Sequence, residues 1–241
     1  MKDILSTLIF KYANFYIVET KTVKKRLKNL LNLRDNEIFI LENSVNPELQ
    51  KISSPKKNDA SKIIFVPSSY YPHKNLEIIV PITKYLLKKI KNFKFILTIN
   101  DKDFKQYLKI NTIHKNLKNH IKNVGPQELK SLSSYYSKSN IVFLPTLLEC
   151  STAVYPEAFY FKVPLITSNL DFAKDLCGEA ALYCHPKSYK DCAIKILQLL
   201  ENKKLQEKLT IEGEKQLAKY LDNNKRLERL EIIFDKILKS H

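Results

Sequence analysis

The sequence predicts an α/β protein, a Rossmann-like parallel sheet with helices on both faces and a helical C-terminal tail. Three observations lead there. From about residue 60, short apolar runs alternate with helix-length amphipathic stretches. The strand-like runs are apolar throughout, as strands covered on both faces are. The 241 residues are 44% hydrophobic and 27% charged with only 3 Gly, enough for a sizeable core without disulfide staples and unlike a linker or collagen-like chain.

Taken in order, Phe15 to Val18 reads as a strand, 20–32 as a helix and 37–41 as a second strand. Asn43 to Asp59, rich in Pro, Ser, Asn and Lys, reads as a linker. Ile63 to Pro67 is a buried strand, and Leu76 to Ile90 repeats apolar residues at helical spacing, with Asn75 as its cap and Glu77 in its positive first turn. Phe95 to Ile99 is the next strand and 103–117 a helix; Ile121 to Val124 is a strand stopped by Gly125-Pro126, followed by a helix over 127–137. Ile141 to Leu144 is the cleanest buried strand, ended by Pro145. A helix near 153–161, a strand at Leu165-Ile166, a helix over 170–176 and a strand over Ala180 to Tyr183 complete the alternation. Residues 188–239 are nearly all helical, with breaks near Asn202, Gly213 and Asn223-Asn224. The expected organisation is a small unit over 1–58, the main sheet domain over 59–222 and a terminal helix over 223–241. A strand–helix–strand piece as small as the first cannot bury itself. It must pack on the main domain or belong to a domain lying mostly outside these residues.

Charge and cysteine usage narrow the function classes. Lys and Arg total 41 against 25 Asp and Glu, a net +16, which invites nucleic-acid or anionic-membrane readings. Only Arg26, Arg34, Arg226 and Arg229 are arginines, whereas base-edge readout favours the planar Arg fork over the hydrated Lys point charge. No nucleic-acid partner is expected; the lysines solvate outer faces, with peripheral attraction to anionic lipid as the second reading. Cys150, Cys177, Cys184 and Cys192 form no CxxC pair and fit a reducing compartment better than a zinc site or disulfide framework. No apolar run approaches the ~20 residues that cross a bilayer, and the N-terminus is too early broken by charge for a signal peptide. The expected location is the cytoplasm, peripherally at the inner face of the membrane.

In an open parallel sheet, ligands lie beyond the carboxyl ends of the strands. Two loops there stand out. Pro67 to Asn75 places Lys74 immediately before a predicted helix start, where unpaired N–H groups already favour an anion; alone, in a chain this rich in lysine, it reads as a solvated loop lysine. Pro145 to Ala158 places Glu149 before a Ser151-Thr152 cap and Glu157 about one turn into the helix. Singly, Glu157 complements the helix dipole and Glu149 is a loop acid. Together they bracket one anion-binding terminus.

Glu149 and Glu157 with seven residues between them, Pro164 to Ser168, Glu179 to Tyr183, and upstream His73-Lys74-Asn75-Leu76 resemble the C-terminal, donor-binding domain of group 1 glycosyltransferases of GT-B architecture. Gly125-Pro126 and Ser139 to Pro145 fit the intervening segment, so the resemblance covers roughly residues 60–200. It implies that Lys74 holds the diphosphate of a nucleotide sugar, that Glu149 accepts from sugar hydroxyls and Glu157 from ribose hydroxyls. The backbone N–H groups of Ser151, Thr152 and Ala153 would contact sugar and phosphate, with Ser68 and Gly125 also at the donor site. It further implies transfer with retention, without metal or other cofactor, to a saccharide or lipid-linked acceptor in envelope polysaccharide synthesis. Where family members often carry glycines, this chain has Cys150, Ser151 and Thr152, and Pro67-Ser68-Ser69 carries no arginine. Ile17 to Leu27 and Ile38 to Pro47 resemble the last strand–helix–strand of the acceptor domain, a remnant that implies a separate chain supplying the acceptor half and exposed apolar surface on the terminal helix. The alternative is a non-catalytic or truncated nucleotide-sugar binder. An epimerase of similar architecture is more distant, since it needs acid/base groups from both halves.

Overall fold

A computed structural model describes residues 12–49, 61–109, 115–220 and 222–239. Its main body is a six-stranded, wholly parallel sheet. A smaller pair of parallel strands, β1 (Tyr16–Val18) and β2 (Ile38–Ile40), is joined by helix α1 (Lys21–Leu31). The sheet then runs β3 (Lys62–Val66), β4 (Phe93–Leu97), β5 (Ile121–Asn123), β6 (Ile141–Leu144), β7 (Leu165–Ser168) and β8 (Ala181–Cys184) in chain order. In space the order is β5-β4-β3-β6-β7-β8. The chain builds outward from β3 in one direction, returns to β6 and builds outward in the other. The switch point, the place where open parallel sheets bind ligands, therefore lies between β3 and β6.

These strands form where the chain supplies β-branched and aromatic residues that can be covered on both sides. Every residue of β6 and β7 is buried, and Phe65 and Val66 of β3 are fully inaccessible. One face is filled by a cluster containing Ile64, Phe95, Phe143 and Ile166, the other by one containing Phe65, Val142, Leu144 and Leu165. Helices α2 (Ile79–Leu86), α3 (Asp101–Tyr107), α4 (Lys115–Lys118), α5 (Leu129–Lys138), α6 (Val154–Tyr160) and α7 (Asp171–Cys177) connect the strands. Helices α8 (Tyr189–Glu201) and α9 (Lys203–Leu217) pack back over the sheet domain, and α10 (Asn223–Leu238) ends the chain. Prolines 81 and 156 fall in the first turns of α2 and α6, where a missing N–H costs nothing.

Several sequence expectations need correction. Strand β4 begins two residues earlier than the apolar run suggests: Phe93, Phe95 and Leu97 point into the core and Lys94 lies between them, so the alternation, not the run, sets its register. The helix expected over 76–90 is shorter, with the 3₁₀ turn Leu76–Ile78 before α2 and turns after Leu86. The helix expected over 103–117 is instead α3 and α4, with 110–114 outside the described residues. Asn75 is no side-chain cap; it is left-handed (φ 56°) and its amide bonds elsewhere. Gly213 does not break a helix. It lies inside α9, where a Cβ would come within 3.0 Å of Phe159 Cδ1, so glycine here permits close packing of α9 on α6. The break at Asn202 is real, because its side chain accepts from Leu205 N and starts α9. Residues 50–59 of the expected linker lie outside the described residues.

The small unit sits against the main body through polar contacts. Asp175 Oδ2 accepts from both Thr22 N and Thr22 Oγ1 at 2.9 Å, and Arg26 Nη2 donates to both Asp171 oxygens at 2.8 and 2.7 Å. The α10 helix crosses back to the same unit, with Arg226 Nε donating to Glu42 O at 3.1 Å and Ser44 Oγ to Asn223 Oδ1 at 2.9 Å. Its apolar residues Leu227, Ile232, Phe234 and Leu238 are exposed, as the reading of that helix expects.

Candidate functional site

The two loops singled out in the sequence follow β3 and β6, the strands that flank the switch point. After β3 the chain reaches Pro72, whose fixed φ opens the 3₁₀ turn Pro72–Lys74. The turn closes at Asn75, whose N–H donates to Pro72 O. After β6 the chain stops at Pro145, which has no N–H for a ladder to use. The loops are tied together by backbone: His73 O accepts from Leu147 N at 2.7 Å and from Thr146 Oγ1 at 3.1 Å. Ser168 Oγ, at the end of β7, donates to Thr146 O at 2.6 Å and fixes the same loop from the other side.

On this frame Lys74 Nζ donates to Glu149 Oε1 at 2.5 Å. The two side chains are 16% and 7% exposed. Neither charge would be stable there alone, since withdrawing an ion from water costs several kcal/mol after relaxation; each offsets the other's desolvation. The result is a cation and an acceptor-only carboxylate held side by side at the switch point.

Glu157 lies on α6 and is 5% exposed. Tyr136, fully buried on α5, donates its hydroxyl to Glu157 Oε2 at 2.6 Å. Burial raises the Glu157 pKa above its ordinary value, and the Tyr136 hydrogen bond works against that rise by favouring the anion. The Tyr136 phenol is itself pushed well up, first by burial and then by the Glu157 charge. The other Glu157 oxygen, Oε1, has no hydrogen-bond partner among the described residues. Tyr136 escaped the sequence reading because nothing local links it to Glu157; only the packing of α5 beside α6 does.

Of the backbone donors expected at this site, Ser151 and Thr152 precede α6 and Ala153 occupies its cap position. The Ser-Thr pair is therefore not the cap the sequence suggests: Ala153 holds that position and no side chain caps the helix, while Thr152 Oγ1, one residue earlier, accepts from Val154 N at 3.3 Å and Ser151 Oγ accepts from Asn43 Nδ2 at 3.3 Å across from the small unit. The first N–H groups of α6 have no partner within the helix. Ser68 lies just past β3, its N–H donating to Thr98 Oγ1 at 3.0 Å and its hydroxyl to Ser69 O at 2.7 Å. Gly125 follows the edge strand β5 with φ 74°, and a Cβ there would meet nothing within 4 Å. It stands two strand spacings from β3, roughly 10 Å along the same carboxyl edge.

Thus Lys74 and Glu149 are in contact, and Ser151 to Ala153 and Glu157 belong to the loop and helix that follow Glu149. Ser68 is at the neighbouring strand end and Gly125 farther along. A cation, two carboxylates and a helix start suit a ligand with an anionic centre and vicinal hydroxyls at its ends. Among the described residues no group of three or more His, Cys, Asp or Glu is placed to hold a metal ion. No helix among them is long and apolar enough to cross a membrane.

Comparison with known proteins completes the picture. The family described as glycosyl transferases group 1 matches residues 47–216. No curated protein matches the chain. Among solved structures, sucrose-phosphate synthase from Thermosynechococcus elongatus aligns with a TM-score of 0.81 at 16% identity, covering 99% of this chain and 62% of that one. A glycosyltransferase from Rickettsia africae aligns at 0.80 with 17% identity, covering 96% and 66%. HepE of Anabaena, solved with UDP and glucose, aligns at 0.78 with 14% identity, covering 93% and 64%. The chain therefore spans less than two thirds of the length of these structures, and at such identities they establish its fold. With its Rossmann-like sheet matching the C-terminal half of GT-B enzymes, the chain belongs to the glycosyl transferases group 1 family.

Proposed function

We propose that the crevice between β3 and β6 holds a nucleotide-diphosphate sugar and that the chain takes part in transferring its sugar to a saccharide or lipid-linked acceptor. The Lys74–Glu149 pair carries this reading, because it places a cation and a hydroxyl acceptor together across the switch point. Lys74 would exchange part of its contact with Glu149 for diphosphate oxygens, leaving Glu149 to accept from sugar hydroxyls. Glu157, steadied by Tyr136 through one oxygen, would accept from the ribose hydroxyls through the other. The N–H groups of Ser151, Thr152 and Ala153 would face sugar and phosphate, with Ser68 and Gly125 along the same edge.

As the bond from sugar to diphosphate breaks, the leaving group gains charge and the sugar becomes oxocarbenium-like. A preoriented lysine and helix-start N–H groups stabilise that charge more than they stabilise the bound donor, which lowers the barrier. Retention at the anomeric carbon, and a metal-free route, are part of the same reading. HepE, solved with UDP and glucose, supports a nucleotide sugar as donor. The similarity to WaaG, described as involved in lipopolysaccharide biosynthesis, supports an envelope glycan as product, though at 10% identity. We place the reaction at the cytoplasmic face of the membrane, where an excess of lysines would draw the chain to anionic lipid.

A second reading is a binder of nucleotide sugars that needs another chain for the acceptor half. The exposed Ile232, Phe234 and Leu238 on α10, beside the small β1–α1–β2 unit, favour it. Titration calorimetry against UDP-, GDP- and ADP-sugars tests the shared core of both. One donor should bind, and Glu157→Ala should weaken it by roughly tenfold to a hundredfold for loss of hydrogen bonds to a charged acceptor. Binding to none, or unchanged binding in the variant, overturns the assignment. Sugar transfer by the purified chain alone would decide against the second reading.

A further inference from the structure

Asn75 is the residue at which the site's loops meet, and its conformation and side chain do separate work. Its backbone is left-handed, with φ 56° and ψ 37°. That region is open to glycine and, among residues with side chains, best to asparagine and aspartate. A glycine would therefore serve for the turn alone. The side chain does more: Nδ2 donates to Pro145 O at 3.0 Å and to Pro186 O at 2.7 Å. Both amide hydrogens are used, one on the loop after β6 and one on the loop after β8.

Those acceptors matter for what lies next to them. Pro145 immediately precedes Thr146 and Leu147, which hold His73 O, and lies four residues before Glu149. Pro186 belongs to the segment that leaves β8 and enters α8, the helix whose Cys192, Ala193 and Ile196 pack in the same core cluster as Ile79 and Ile82 of α2. Asn75 directly follows Lys74. One amide thus fixes the lysine's turn against the Glu149 loop on one side and against the β8–α8 loop on the other.

We propose that Asn75 is a positioning residue, its amide setting the separation of the Lys74 ammonium and the Glu149 carboxylate and coupling that pair to the Pro186 loop. The inference rests on the nucleotide-sugar reading for its consequence, while the positioning itself is a property of the loops and is tested apart from it. Asn75→Gly is the informative variant because it keeps the left-handed turn and removes only the amide. Asn75→Asp is the second, keeping the shape but turning a carboxylate oxygen toward two carbonyls with no hydrogen to give them.

Two readouts are taken on the full chain: donor affinity by calorimetry, and amide hydrogen exchange of residues 146–149 and 187–189. In Asn75→Gly, donor affinity should fall on the order of tenfold for two lost hydrogen bonds. Exchange at Leu147, whose N–H is held by His73 O, should rise by a similar factor while β3 and β6 exchange as before. Asn75→Asp should be at least as impaired. Native-like exchange at Leu147 in Asn75→Gly overturns the proposal, as does native-like donor affinity. If the unaltered chain binds no nucleotide sugar, the functional reading fails and exchange alone decides: a faster Leu147 sustains the positioning role and an unchanged one removes it.

Discussion

The chain contains the same grammar twice, with different results. In both the small unit and the main body, a parallel strand feeds a helix that returns to a neighbouring parallel strand. In the main body the helices nearest the centre of the sheet are buried on one side: α2 sinks Ile79, Ile82, Thr83 and Leu86, α6 sinks Tyr155 to Phe159 and α7 sinks Phe172, Ala173 and Cys177, while α3 and α4 at its β5 side bury no residue. In the small unit α1 has no buried residue, and its core is Tyr16, Val18 and Ile38 with partly covered neighbours. Two strands of three residues form too small a sheet to stand alone. The small unit is held in place by Asp171 and Asp175 of α7 and by α10, contacts that are polar and partly exposed. The lesson concerns where precise chemistry can be built. A charge pair set to a few tenths of an ångström needs strand ends that do not move, and only the six-stranded sheet supplies them.

The largest effect should come from the rigid part. Lys74→Ala leaves Glu149 buried without its cation. It should cost about 3 kcal/mol of stability and lower donor affinity by a hundredfold or more on the order of two charge-assisted hydrogen bonds. Denaturant unfolding and calorimetry measure the two. A loss of affinity with intact stability would mean that the pair is not the buried one described.

Gly213→Ala probes the packing that supports α6 and hence Glu157. Alanine gains about 1 kcal/mol in helix propensity, but its Cβ would press on Phe159, itself 2% exposed, and overpacking costs roughly 1–3 kcal/mol. A net loss near 1 kcal/mol in denaturant unfolding is expected. A stabilised variant would show that α9 and α6 yield to each other.

Glu157→Gln tests burial through pH. Burial raises the Glu157 pKa above its ordinary value of 4.5, so the folded state disfavours the anion. The cost is absent below the pH at which the unfolded carboxyl titrates and complete above the folded pKa. The variant should therefore gain thermal stability at neutral pH and none at pH 3, while binding the donor less well. Equal gains at both pH values would contradict the assigned cause.

The smallest effect belongs to the other region. Asp171→Ala removes an exposed pair with Arg26, its side chains 49% and 60% accessible on the Arg and Asp sides, and should change global stability by less than about 0.5 kcal/mol. Amide exchange should nevertheless quicken in β1, α1 and β2 while β3, β6 and β7 stay protected. Quickening throughout would mean that the two regions open as one.

The centre of the main sheet was legible because β3 and β6 are short apolar runs stopped by Pro67 and Pro145; β6 matches its expected bounds residue for residue. What misled was local. The continuous run Phe95 to Ile99 hid the alternation that starts β4 at Phe93. Gly213 looked like a break because helix propensity is local, whereas its contact with Phe159 spans 54 residues. At the site, Lys74 and Glu149 could be named from their loops, and their contact follows from β3 and β6 being neighbours. Tyr136 and the bridging role of Asn75 could not be named, since each depends on partners brought together only by helix packing or loop crossing.

On the proposed function, a nucleoside diphosphate lodges at the carboxyl ends of β3 and β6. A crystal structure of the chain soaked with UDP tests it most directly. Diphosphate oxygens are expected within hydrogen-bond distance of Lys74 Nζ, with the ribose against Glu157. Diphosphate bound elsewhere, with the Lys74–Glu149 pair untouched, would contradict it.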